Sequence, residues 1–166
     1  AQSYASMLTE HGVVGGQIVA LDTTDTIVSV ASILATSLLG IVLVPYHPAL
    51  FHEESFVISN VLRSAERPRD ASQEELVIDS SWSPRNRDFS PIDPLRSDSF
   101  SGTDLAWVMP SSGTTGTPKY VGLSSNLVVS RVNAVLEDFE SSHQRCLILF
   151  AAATRPFIIR AMAVLL

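Results

Sequence analysis

The sequence predicts an α/β fold, in which helices flank a layered and largely parallel sheet. Three observations support this prediction. Short apolar runs alternate along the chain with longer segments of helical periodicity. The run from Ile41 to Val44 is rich in β-branched residues and is followed by Pro45, which is typical of a short buried parallel strand. With 166 residues, 46% of them hydrophobic, the chain has enough apolar content for the core of one domain.

Each element is predicted from its own local pattern. Short apolar runs predict strands, and apolar residues three or four apart predict amphipathic helices. In chain order the predicted elements are a strand over 17–21, a helix over 26–39, a strand over 41–44, a helix over 53–67, strands over 76–78, 105–109 and 120–123, a helix from 124 or 125 to about 140, a strand over 146–150 and a helix that opens at Pro156.

Three of these segments have further support. Residues 22–25 supply the loop and N-cap region before the first predicted helix, and Gly40 lies where that helix would stop. The helix predicted over 53–67 places four apolar residues on one side: Phe56, Val57, Val61 and Leu62. The helix after Ser125 does the same with Val128, Val132, Val135, Leu136 and Phe139. Residues 80–103 are rich in Ser, Pro, Asp and Arg, which predicts a long loop with a tendency to disorder.

One uncharged stretch raises the alternative of a membrane span. Residues 26–46 contain no charged side chain and are long enough to cross a bilayer. However, Ser29, Ser32, Thr36 and Ser37 dilute their hydrophobicity, and Gly40 divides a helical pattern from a β-branched one. We therefore predict a buried helix followed by a buried strand, and no membrane span.

Composition excludes some classes of function. A net charge of −6 argues against a nucleic-acid-binding protein, which would present a basic face. The single cysteine, Cys146, cannot form an internal disulfide and favours a reducing, cytoplasmic setting. The four histidines show no metal-ligand spacing, so no metal site is predicted from protein side chains.

The most informative segment joins the strands predicted over 105–109 and 120–123. It reads Ser111-Ser112-Gly113-Thr114-Thr115-Gly116-Thr117-Pro118-Lys119. The two glycines let backbone N–H groups approach a ligand closely, the hydroxyls can donate to phosphate oxygens, and the lysine adds a positive charge. The segment therefore predicts a polyphosphate site formed by Ser111, Ser112, Gly113, Thr114, Thr115, Gly116, Thr117 and Lys119.

The segment differs from the phosphate loop of P-loop NTPases. That loop needs a lysine directly after a glycine and a serine or threonine directly after the lysine, at the start of a helix. Here Pro118 precedes Lys119 and Tyr120 follows it. Since proline lacks an N–H and fixes φ, a helix is not expected to begin in that manner. A conventional P-loop NTPase is the weaker interpretation.

The same nine residues resemble the phosphate-binding signature of the adenylate-forming superfamily, which includes acyl-CoA synthetases, adenylation domains of peptide synthetases and luciferases. The family pattern, Thr/Ser-Ser-Gly-Thr-Thr-Gly-x-Pro-Lys-Gly, is matched at every specified position up to Lys119. The chain departs from it at Tyr120, where the family usually has glycine, and in the following run, which has no histidine. Residues 12–21 and 26–45 resemble the opening of the same N-terminal region more loosely.

The resemblance implies an AMP-forming ligase that joins an acid to a thiol. A carboxylic acid would react with ATP, with Mg²⁺ present, to give an acyl-adenylate, and coenzyme A or a carrier pantetheine would then take the acyl group. An acyl carrier protein is thus a possible partner. The family's catalytic lysine lies in a C-terminal domain, which this sequence lacks. We therefore expect residues 1–166 to be a fragment of the N-terminal AMP-binding domain that is inactive alone. A non-catalytic adenylation-like interaction module is the alternative.

Overall fold

The computed structural model describes residues 1–46, 57–65, 75–83, 104–110, 119–138 and 155–165. Four helices and six strands lie in these ranges, together with one short 3₁₀ turn. They are α1 Gln2–Glu10, β1 Ile18–Asp22, α2 Thr26–Leu39, β2 Val42–Pro45, β3 Asn60–Ser64, β4 Glu75–Ile78, the 3₁₀ turn Ser80–Trp82, β5 Leu105–Pro110, β6 Tyr120–Ser124, α3 Ser125–Asp138 and α4 Arg155–Leu165.

The six strands form one sheet in the order β4-β3-β1-β2-β5-β6. Every neighbouring pair is parallel except β5 and β6, which are antiparallel. The predicted α/β fold with a largely parallel sheet is confirmed. Because parallel strands end on the same side, the carboxyl ends of β1 to β5 all lie at one edge of the sheet, which is called the carboxyl edge below.

Apolar side chains are buried on both faces of the sheet. On the face covered by α2, Leu43 and Trp107 pack with Ile33 of α2 and Ile158 of α4. A second cluster on the helical side joins α1, α2 and β3, and it contains Leu8, Ala35, Leu62 and Trp82. The opposite face carries Val42, Val44 and Val108. The alternation of Val42, Leu43 and Val44 between clusters is the period of two expected along a strand.

Helix α2 has the bounds that the sequence predicts. The Asp25 carboxylate accepts hydrogen bonds from the N–H groups of Ile27 and Val28, at 2.7 and 3.1 Å, and so caps the helix. Gly40 ends it in the left-handed conformation, with φ of 65°. The chain then enters β2, so the uncharged stretch is a helix and a strand. Among the described residues, no helix has both the length and the apolarity needed to cross a bilayer.

The helix predicted over 53–67 is wrong where the structure describes it. Residues 60–64 form the strand β3, paired with β1 on one side and β4 on the other. Val61 and Leu62, expected on one side of a helix, are consecutive strand residues and therefore point to opposite faces. Both are buried, so the apolar pair fits a two-sided strand as well as a helix face.

Other boundaries differ by about one residue, which is usual at element ends. Helix α1 was not among the predicted elements. Residues 80–82 of the predicted long loop form the 3₁₀ turn, in which Trp82 is buried. The rest of that loop, from 84 to 103, and the strand predicted over 146–150 lie outside the described residues.

Candidate functional site

The candidate phosphate segment connects two neighbouring strands of the sheet. Strands β5 and β6 are antiparallel, and Pro110 pairs with Tyr120 as the last pair of their ladder. The nine residues between these two partners therefore leave and re-enter the sheet at one point. Since β5 is parallel to β2, this point lies at the carboxyl edge, beside the end of β2. The strands predicted before and after the segment are confirmed.

The topology makes this part of the edge a suitable place for a ligand. From β2 the chain goes on to β3 on one side of the sheet, whereas from β5 it goes on to β6 on the other. Ligands of open α/β sheets bind where neighbouring strands lead away in opposite directions, because the diverging connections leave a crevice. Strands β1 and β3 form a second such point, since they lead to β2 and β4.

The described residues include only one of the predicted site residues. Lys119 lies directly before β6 and is exposed. The other seven, Ser111, Ser112, Gly113, Thr114, Thr115, Gly116 and Thr117, lie outside the described residues, as does Pro118. Their part in a phosphate site thus remains a prediction. The described chain ends at Pro110 before these residues and resumes at Lys119 after them.

The N-terminus of α2 also lies at the carboxyl edge, but its donors are used within the chain. The Asp25 carboxylate accepts from two N–H groups of the first turn, and the Ser29 hydroxyl donates to the Asp25 carbonyl at 2.8 Å. The Asp25 N–H in turn donates to the Thr23 hydroxyl at 3.0 Å. A negatively charged cap at this helix start would repel a phosphate, so α2 is unsuited to bind one.

A small cavity lies below the carboxyl edge, between the sheet, α2 and α4. The cavity could not be predicted from the sequence, because the residues that line it are far apart along the chain. They are Leu21, Thr23, Ser29, Ile33, Leu43, Pro45 and Ile158. Most of its surface is apolar. Its accessible volume of about 10 Å³ has room for about one water molecule. In this conformation it does not admit a nucleotide.

The remaining candidate residues have structural surroundings. The Asp104 carbonyl accepts from the N–H of Ser125 at 3.0 Å. His11 stacks on Trp82 with ring centroids 5.9 Å apart. Within the described ranges, no three His, Cys, Asp or Glu side chains form a group able to hold a metal ion. Cys146 and the other three histidines lie outside those ranges.

Comparison with known proteins identifies the family. The sequence model of the family described as AMP-binding enzyme matches residues 1–154. The chain therefore belongs to the AMP-binding enzyme family, in agreement with the resemblance of residues 111–119. No curated protein matches the chain.

Solved structures of related fold agree with this assignment. O-succinylbenzoate coenzyme A synthetase (MenE) from Bacillus subtilis in complex with AMP is 20% identical with a TM-score of 0.76, over 98% of this chain and 44% of that one. The inhibitor-bound N-terminal domain of FACL13 from Mycobacterium tuberculosis is 20% identical with a TM-score of 0.77, over 98% and 45%.

A third similar structure is fatty acyl-adenylate ligase from L. pneumophila, in complex with acyl adenylate and pyrophosphate. It is 18% identical with a TM-score of 0.62, over 83% of this chain and 26% of that one. At these identities the likeness shows the fold. The chain spans less than half the length of these three structures.

Proposed function

We propose that this chain supplies the phosphate-binding part of an ATP-dependent carboxylate ligase. The ligase activates a carboxylic acid as its acyl-adenylate and then passes the acyl group to a thiol. The observation that carries this proposal is that β5 ends at Pro110 and β6 begins at Tyr120, at a point where neighbouring strands diverge. The glycine- and hydroxyl-rich sequence 111–119 joins these two strands. Membership of the AMP-binding enzyme family supports it.

In the first step a carboxylate oxygen attacks the α-phosphorus of ATP, and the bond from that phosphorus to the β-phosphate bridge breaks. Pyrophosphate leaves, and its negative charge has to be stabilised. Backbone N–H groups and hydroxyls of residues 111–117 would hold the β- and γ-phosphates. Lys119 is exposed next to this segment, which fits a role for its ammonium group in neutralising phosphate charge.

Mg²⁺, when bound, would share the charge of the phosphates. In nucleotide sites this ion keeps several waters and is held largely through substrate phosphates, so it would enter with ATP. In the second step a thiolate, from coenzyme A or a carrier pantetheine, replaces AMP at the acyl carbon. Structures similar to this chain include one with ATP and magnesium ion and one with the product analogue OSB-NCoA, which supports these ligands for the proposed enzyme.

The reaction is tested by isotope exchange between labelled pyrophosphate and ATP, in the whole protein that carries this sequence. The acid panel should include o-succinylbenzoate and fatty acids of several lengths, because these acids appear in the names of the similar proteins whose structures are solved. We expect exchange that depends on one class of acid. A folded protein that exchanges with no acid would contradict the ligase and favour a non-catalytic module.

The part played by the segment is tested with Lys119→Ala. Loss of the lysine charge should slow exchange by about ten- to a hundredfold without abolishing it, because a charged hydrogen bond in a partly wet site is worth a few kcal/mol at most. Lys119→Arg keeps the charge and should retain more activity.

The matched control is Arg131→Ala, which removes an exposed cation of α3. It should leave the exchange rate unchanged. If Lys119→Ala exchanges as fast as the unaltered protein, the lysine does not contact phosphate. If the arginine control slows exchange equally, the effect is a general one of surface charge.

A further inference from the structure

Tyr120 stands at the point where the phosphate segment returns to the sheet. It is the first residue of β6 and pairs with Pro110, the last residue of β5. Lys119, the only predicted phosphate ligand among the described residues, directly precedes it. Because one planar peptide unit joins the two residues, the position of Tyr120 on the sheet limits where the main chain of Lys119 can lie.

The side chain of Tyr120 is packed on the sheet. It is partly buried and contacts the cluster formed by Val42, Val44 and Val108, on the face opposite to α2. Its hydroxyl oxygen is buried as well. These three valines belong to β2 and β5, the two strands whose carboxyl ends diverge beside the phosphate segment. The ring thus packs on an apolar cluster that these two strands build together.

The neighbouring residues of β6 give the segment little comparable support. Val121 is 47% exposed, and Gly122 has no side chain. Leu123 is buried, but on the other face of the sheet, in the cluster with Trp107. The glycine that the family pattern has at position 120 would leave this end of the segment without an apolar contact. In this chain the tyrosine provides one.

We propose that Tyr120 is a positioning residue that fixes the returning end of the phosphate segment to the sheet and so holds Lys119 in place for the phosphates of ATP. The nucleotide part of this proposal rests on the proposed function. The anchoring part concerns the chain itself, and it has a readout that needs no ligand.

Anchoring is tested by hydrogen–deuterium exchange of the unliganded whole protein and its variants. Tyr120→Gly should raise the exchange rate of peptides that cover residues 119–124 by about tenfold, which is the effect of about 1.4 kcal/mol on local opening. Peptides of β1 should exchange as before. Tyr120→Phe keeps the ring contacts and should restore most of the protection. If Tyr120→Gly does not fold, Tyr120→Leu serves, with a smaller rise expected in the same peptides.

Positioning is tested by the kinetics of pyrophosphate exchange. A loosened segment should raise the KM for Mg·ATP about tenfold, because a small misplacement of a binding group is costly, and should leave the KM for the acid unchanged. Tyr4→Ala is the control: it removes a partly buried tyrosine that packs on Trp82, with ring centroids 5.4 Å apart. It should lower stability and leave the KM for Mg·ATP as it was.

The outcomes separate the two proposals. If the unaltered protein exchanges pyrophosphate but the Tyr120 variants change neither local protection nor the KM for Mg·ATP, the anchoring role is overturned. The same follows if Tyr4→Ala changes the KM equally. If no acid supports pyrophosphate exchange while Tyr120→Gly still loosens residues 119–124, the proposed function fails and the anchoring stands.

Discussion

Arg63 and Glu75 form a buried ion pair between neighbouring strands. The Arg63 Nη2 and Glu75 Oε2 atoms are 2.7 Å apart, and each side chain is only 6% exposed. The pair links β3 to β4, which is the last strand on that side of the described sheet. This pair could not be predicted from local patterns, because residues 53–67 were predicted as a helix and Glu75 lies in a different strand.

Breaking this pair should be more damaging than removing it. Glu75→Gln or Arg63→Met alone leaves a buried charge without its partner, and we expect each to lower the free energy of unfolding by about 3–5 kcal/mol. The double variant Arg63→Met with Glu75→Leu should recover most of that loss, since apolar residues of similar size fill the same space. Denaturant unfolding monitored by tryptophan fluorescence measures the free energy of unfolding of the single variants and of the double variant.

A loss below about 1 kcal/mol in both single variants would contradict this account, because that is the range of exposed ion pairs. It would mean that water or other groups replace the missing partner.

The phosphate segment differs from this pair in how it was found. Its residue types alone indicate the chemistry, whereas the ion pair depends on a strand pairing that local periodicity does not reveal.

At the scale of elements, sequence patterns were reliable where local signals agree. Helix α2 has an N-cap, a long apolar run and a C-terminal glycine, and its predicted bounds match the structure. In strand β3 the local sequence signals do not agree on one type of element. Its five residues, Asn-Val-Leu-Arg-Ser, fit a helix face as well as a strand, and its pairing with β1 and β4 decides between them. Tertiary pairing thus overrides the local pattern.

The turn from α2 into β2 depends on Gly40. Its φ of 65° lies in the left-handed region, and the following N–H, of Ile41, donates to the Thr36 carbonyl at 2.9 Å. Gly40→Ala should lower the free energy of unfolding by about 1–2 kcal/mol, because a Cβ is unfavourable in that conformation. Gly40→Asn should cost less, since asparagine adopts it more readily.

Thermal or denaturant unfolding of the two variants checks this prediction. An alanine variant as stable as the unaltered protein would show that the corner can change conformation without cost. A loss in the asparagine variant as large as in the alanine variant would point to crowding at this site rather than to backbone strain.

At the scale of the whole molecule, the fold determines where the candidate phosphate segment, residues 111–119, is joined to the sheet. The sequence predicted the segment and the two strands around it, but strand order cannot be read from local patterns. The order β4-β3-β1-β2-β5-β6 places the end of β5 beside β2, where the chain diverges. The small apolar cavity below the same edge is likewise a product of the fold, since its lining comes from β1, β2, α2 and α4.

Residues 111–119 are proposed to hold the phosphates of ATP at this edge. The most direct measurement is hydrogen–deuterium exchange of the whole protein with and without saturating Mg·ATP. We predict that peptides within 111–124 become protected when Mg·ATP binds, while peptides of 75–83, on the far side of the sheet, do not change. Bound Mg·ATP that leaves the exchange of 111–124 unaltered would contradict the claim, because the phosphates would then lie elsewhere.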